Sequence, residues 1–223
     1  MIIRAAILSI PQYDEQAIAA VQALLQATSS DIYVVRTESV DGQRYWVEEV
    51  LRRWCDEEEL DLILTIGATM PAAGPSGMEN TPEATATILE RQLPGFSEVM
   101  RQSAGEETTL AYLDRGVAGI RGRTLIVNLP AGAAPAHLFL EAIAELLMPT
   151  VLHLNNNSEA PTLAEQLQFD GMGATQPAEQ PPASAGQTTP DGTQPTGRTQ
   201  KPLDPAEFAE FLQRNSSSTS KDE

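Results

Sequence analysis

Across its first 154 residues the chain alternates two kinds of apolar pattern, and this constrains the fold more than any other feature. Residues 2–10 form a continuous apolar run of buried-strand type, whereas residues 15–27 carry Ile18, Val21 and Leu25 at helical spacing. Residues 32–36 read as a second, β-branched strand. Val47, Val50, Leu51 and Trp54 then share one face of a helix from about Gln43 to Asp56. Residues 60–66 and 124–129 are further strands. Thr81, Pro82 and Glu83 open a helix with a threonine cap, proline at its first position and an early carboxylate. Phe139, Ala142, Ile143 and Leu146 place one stripe on a single helix over residues 135–147. Strands that alternate with helices and are apolar on both faces predict a mostly parallel sheet covered on both sides.

The pattern stops near Asn155. From there to Gln200 the chain is rich in Pro, Gly, Gln, Thr and Ser, a composition that buries too little apolar surface to offset its ordering entropy. Three parts are therefore expected: a domain over 1–154, a disordered linker over 155–202, and a short amphipathic helix from Leu203 to Arg214. In the last, Asp204 caps, Pro205 and Glu207 fill the first turn, and Phe208, Phe211 and Leu212 form an apolar stripe that needs a protein partner or its own domain to dock on.

The chain has 223 residues and a net charge of -17, with 31 acidic against 14 basic side chains. A surface this acidic repels phosphate backbones and anionic lipid, so neither nucleic acid nor a membrane is an expected partner. The lone Cys55 excludes an intramolecular disulfide and a cysteine-cluster metal site, and a cytoplasmic location is the default expectation. In parallel sheets ligands sit beyond the carboxyl ends of the strands. Three loops qualify: residues 11–14, the Gly- and Pro-rich stretch 67–80 that leads into a helix N-terminus suited to phosphate, and residues 130–134.

Four ordered motifs carry a resemblance. D-L-I-L-T-I-G-A-T from Asp61, T-P-E-A-T from Thr81, L-P-G-F from Leu93 and R-G-V-A-G-I-R-G-R-T-L-I-V-N-L-P from Arg115 resemble the MoaB/Mog family of molybdenum cofactor biosynthesis. The resemblance implies a three-layer α/β/α domain that associates as a trimer or hexamer. It also implies molybdopterin as ligand or substrate, and AMP transfer from ATP with Mg²⁺ in the active members.

Several family features are altered here. Where the family usually has G-G-T-G-P, this chain has Gly67, Ala68, Thr69, Met70 and Pro71. Glu79 stands for the family's aspartate, Asp114 for a common serine, and Pro130, Ala131 and Gly132 continue into a longer turn without a hydroxyl. The long acidic loop after the first strand is reduced to residues 9–14.

By this resemblance Gly67, Ala68, Thr69, Thr81, Asn128, Pro130 and Gly132 frame the pterin and its phosphate. Glu79 is the catalytic carboxylate and metal ligand, and Asp14 is the substitute metal ligand. Arg115, Arg121 and Arg123 stand either as an anion site or as a tight hairpin with exposed guanidinium groups, and residues 56–59 as a solvated acidic helix end. Two functions are expected: a molybdopterin-binding protein with impaired adenylyl transfer, or a catalytically inactive oligomeric scaffold that recruits a partner through its tail.

Overall fold

The computed structural model describes residues 2–72 and 80–156. Six strands, β1 (Ile3–Ser9), β2 (Ile32–Ser39), β3 (Leu62–Ile66), β4 (Arg91–Gln92), β5 (Ala118–Arg121) and β6 (Thr124–Leu129), form one sheet in the order β2-β1-β3-β6-β5-β4. The first four in that order run parallel, and β5 and β4 complete the sheet antiparallel. A bulge at Val35 interrupts the edge strand β2: Ala5 faces Val34, but Ala6 faces Arg36.

The helices are α1 (Glu15–Thr28), α2 (Arg44–Asp56), α3 (Thr81–Ile88), α4 (Pro94–Glu107), α5 (Ala133–Glu141) and α6 (Ala144–Leu154). Alternate residues of each central strand enter opposite cores. Ile3, Ala5, Ile7, Leu62, Leu64, Ile66, Leu125 and Val127 pack beneath α1, α4, α5 and α6. Ala6, Leu8, Ile63 and Ile126 pack beneath α2 and α3. This is the expected three-layer α/β/α arrangement. In α2 the anticipated Val47, Val50, Leu51 and Trp54 are the buried residues, each large side chain contributing about 1.5–3 kcal/mol.

Two expectations need correction. The single helix over 135–147 is two helices, α5 and α6, bent by 63° at Ala142 and Ile143. The bend turns Leu146 to solvent, 42% exposed, while Leu147 takes the buried position. Apolar period records a face but not a change of axis. The acidic stretch 56–59 is also more than solvated: Asp56 pairs with Arg121, and Glu58 with Arg36 and Arg53. Among the described residues no single helix is long and apolar enough to cross a membrane. The segment from Leu203 to Arg214 lies outside the described residues.

Candidate functional site

The order of strands reverses between β1, which leads outward to β2, and β3, which returns on the other side of β1. Beyond the carboxyl ends at such a reversal, doubly wound sheets bind their ligands. The described starts of the three loops meet here. Ile10 N donates to Ile66 O (2.8 Å), and Gly67 N donates to Leu129 O (2.9 Å). Gly67 has φ +102°, and a Cβ there would stand 2.0 Å from Ile10 O, so only glycine fits. Ala68 follows with φ +54°, a left-handed conformation that costs an L-residue about 1 kcal/mol. A left-handed alanine beside an obligatory glycine marks a turn held by its surroundings.

What holds it is a segment 45 residues further along the chain. The Thr69 hydroxyl donates to Asp114 Oδ2, and Arg115 N donates to Thr69 O (3.1 Å). Gly116 N donates to Asp114 Oδ1 (2.8 Å), while Arg101 Nη1 donates to Gly116 O (3.1 Å) and Asp114 O (3.4 Å). Asp114 is 4% exposed. Burial pushes its carboxyl above the usual carboxylate range, opposed by the Thr69 hydroxyl, the Gly116 amide and the Arg101 charge.

The N-terminus of α3 stands beside this latch. The expected threonine cap is not formed: Thr81 is the first helical residue, Asn80 is the N-cap residue without a capping bond, and the Asn80 amide reaches Gly42 O (3.1 Å). Pro82, without an N–H, occupies the first turn as anticipated, and its fixed φ suits that place. Thr81 is 0% exposed, and its hydroxyl has no partner among the described residues. Glu83 pairs with Arg115 through Oε1, while its Oε2 is buried without a hydrogen bond.

Asn128, expected at the pocket, is instead an internal tie. Its amide donates to Thr65 Oγ1 and Thr85 Oγ1 (both 2.9 Å), and its Oδ1 accepts from Val117 N (3.2 Å). The side chain is 0% exposed and anchors α3 and the lead-in to β5 against β3 and β6. A polar residue inside the apolar run of β6 was the signal for this role. Pro130 is buried behind the β6 turn, and Gly132 has φ +91° at the entry to α5. Asp14 accepts from Ala17 N (3.0 Å) as the cap of α1, and Ser9 bonds Gln12 O and Asp14 N to close the short front loop. Glu79 lies outside the described residues. Among the described residues no three His, Cys, Asp or Glu side chains converge.

The arginine trio does not form one anion site. Arg115 belongs to the latch, Arg121 grips Asp56 (2.6 Å) at the other end of the strands, and Arg123 lines a cavity there with Cys55 and Asp61. The tight hairpin is present, turning at Gly122 with φ +57°, but Arg121 is ion-paired where an exposed guanidinium was expected. Sequence reading missed α4, whose first turn carries Ser97 against Asp114 and Arg115 around a cavity of about 310 Å³.

A doubly wound α/β domain with a glycine turn and the N-terminus of α3 at its strand reversal has the architecture in which small ligands bind beyond the strand ends. Residues 11–153 match the probable molybdopterin binding domain family, and the chain belongs to that family. Molybdopterin adenylyltransferase from Escherichia coli K12 is 30% identical over 141 residues, covering 63% of this chain and 70% of the relative. The Helicobacter pylori molybdopterin adenylyltransferase is 40% identical over 106 residues, 48% of this chain, and the match spans only 58% of that relative. The molybdopterin biosynthesis enzyme MoaB of Thermus thermophilus superposes with TM-score 0.63 at 35% identity, covering 70% of this chain and 98% of that one.

Proposed function

We propose that this protein binds molybdopterin, or a closely related phosphorylated pterin, as part of molybdenum cofactor biosynthesis in the cytoplasm, and that it transfers AMP from ATP poorly or not at all. The observation that carries the reading is the buried Thr81 hydroxyl, without a partner among the described residues, at the start of α3 beside the latch that holds the Gly67–Ala68–Thr69 turn. A buried hydroxyl without a partner costs about 1–3 kcal/mol, which a ligand oxygen arriving there recovers. Helix N-termini favour anions for the same geometric reason. Gly67, Ala68, Thr69 and Thr81 form the phosphate side, and Pro130 and Gly132 shape the turn opposite.

Adenylyl transfer asks for a metal held against two phosphates. Asp14 is committed to capping α1, and Glu79 is the carboxylate left to supply that role. The Asp114 carboxylate, locked to Thr69, adds negative charge where phosphate charge would gather. Loss of one such electrostatic group costs about a hundredfold or more in rate, so slow transfer is the expected result.

The oligomeric reading has its own observation. Met70, Leu110, Ala131, Pro135 and Leu138 line an apolar cavity of about 450 Å³, and Leu110 and Tyr112 beside it are exposed. This face suits contact between copies in a trimer or hexamer, and in the scaffold alternative that assembly would be the fold's remaining purpose.

The test is titration of purified molybdopterin into wild-type and Thr81→Val protein, followed by an AMP-transfer assay with Mg-ATP. Thr81→Val removes an unpartnered hydroxyl and leaves the fold intact, while pterin affinity drops about tenfold. Turnover equal to that of an active relative would overturn the impaired-transfer reading, and failure of the wild type to bind any pterin would leave the scaffold.

A further inference from the structure

We infer that the cavity between the first turn of α4 and residues 114–118 is a tetrahedral-oxyanion site, separate from the turn at Gly67 and from α3. It holds about 310 Å³ and is lined by Gln92, Ser97, Arg101, Arg115 and Gly116 among others. Three independent features point to an anion. The α4 N-terminus begins at Pro94, which has no N–H, and has no side-chain cap on Leu93; Phe96 N donates to Leu93 O (3.2 Å), so the positive end of the helix faces the cavity with its first turn only partly satisfied. Ser97, in that first turn, is 4% exposed, and its hydroxyl has no partner among the described residues. Arg101, one helical turn on, makes its hydrogen bonds among the described residues through Nη1 to Asp114 O and Gly116 O, which leaves Nε and Nη2 to serve a ligand.

Asp114 is the opposing charge in the wall, and its two oxygens are turned to Thr69 Oγ1 and Gly116 N. Arg115 is paired with Glu83 and contributes a neutral couple. The donors that remain, one hydroxyl, one guanidinium edge and a helix N-terminus, match the oxygens of a sulfate, a free phosphate or a phosphate monoester. An apolar ligand would leave all of them unsatisfied.

Sulfate is the probe, because its charge is constant across neutral and acidic pH. It is titrated into the ¹⁵N-labelled full chain at constant ionic strength, with the backbone amides of Gly95, Phe96 and Ser97 as reporters. The wild type is expected to show saturable shifts at these amides, and Ser97→Ala to bind about tenfold more weakly. Because the Ser97 hydroxyl holds no native bond, Ser97→Ala keeps the wild-type melting temperature, so weakened binding reports the ligand and not the fold. Arg101→Gln is expected to weaken binding further.

Repeating the titration with molybdopterin present separates the two sources of the oxyanion. Competition assigns the site to the pterin's phosphate, and simultaneous binding assigns it to a separate oxyanion. Absence of sulfate shifts at the α4 amides, or a Ser97→Ala affinity equal to wild type, overturns the inference. Either result stands apart from whether molybdopterin binds at Thr81, which the Thr81→Val titration reads on its own.

Discussion

The two ends of the parallel strands are built on opposite principles. At the amino ends, polar groups close on one another. Asp61 accepts from Arg4 N (2.8 Å) and Asn155 Nδ2 (3.0 Å), Thr124 donates to Leu60 O, and Arg121 grips both oxygens of Asp56. Even the Cys55 thiol at that end is quiet: burial pushes its pKa up to about 11, so it carries little thiolate. Positive φ occurs at both ends, at Glu59, Gly122 and Asn156 here and at Gly67, Ala68 and Gly132 opposite, but the carboxyl ends alone hold a buried carboxylate at Asp114 and, among the described residues, the unpartnered hydroxyls of Thr81 and Ser97. Trp54 Nε1 is the unpartnered atom outside that region among the described residues. One end is finished as structure, and the other stores the unsatisfied polar groups that a ligand relieves.

Substitutions at each end sharpen this contrast. The largest effect is expected at Gly67→Ala, where a Cβ 2.0 Å from Ile10 O meets a backbone at φ +102°. Its loss in stability should reach about 3 kcal/mol, read by urea denaturation, with ligand binding abolished. A wild-type midpoint for this variant would mean that the turn is slack and the strain argument is wrong.

Asp114→Asn comes next and tests the buried carboxylate through pH. A carboxyl whose pKa is raised by folding contributes stability that is full below the ordinary aspartate range and fades as pH rises through the raised value. Wild-type melting temperature should therefore decline, as pH rises from the ordinary aspartate range toward neutrality, by a component that Asp114→Asn lacks. The asparagine still accepts from Gly116 N and can donate to Thr69, so the latch survives. Parallel pH profiles for the two proteins would remove the burial argument.

The smallest effect belongs to the finished end. Arg121→Met breaks an ion pair whose Asp56 side chain is 48% exposed, and solvent screening limits the loss to about 0.5 kcal/mol. Arg121 also holds the Asp56 carboxyl below its usual range. The pair's contribution is thus present above the ordinary aspartate pKa and lost as pH falls through the lowered one. A loss beyond about 2 kcal/mol, outside the range of screened pairs, would show that this end is not a set of replaceable surface contacts.

These differences also explain what the sequence made legible. Strand and helix alternation, the α2 face and the Gly67 turn follow from local period and from residue types whose chemistry is unambiguous. Helix α4 was missed because Phe96, Met100 and Ala104 make a thin stripe interrupted by Gly95 and Gly105. Strands β4 and β5, with two and four residues, are shorter than any window in which period can be read. The Thr69–Asp114 latch spans 45 positions. Nothing local in either segment announces the other: the resemblance marks Asp114 as standing where a serine is common, but its burial and its bond to Thr69 follow only from the fold. Asn128 misled in the opposite sense: its place at a strand end suggested a ligand contact, whereas three internal partners use its whole amide.

The bulge at Val35 bears on how such a protein stays out of trouble at high concentration. β2 is an edge, and an unpaired edge is a template on which a foreign strand can continue the sheet and seed aggregation. The slip between Val34 and Arg36 divides that template into two short ladders, residues 32–34 and 36–39, whose hydrogen-bonding groups no longer fall on one line. Arg36, Glu38, Arg53 and Glu58 crowd the second ladder with paired charges that an incoming strand would have to strip of water and of one another. The extra residue at Val35 thus denies an incoming strand one long, straight ladder to extend on the β2 side of the sheet.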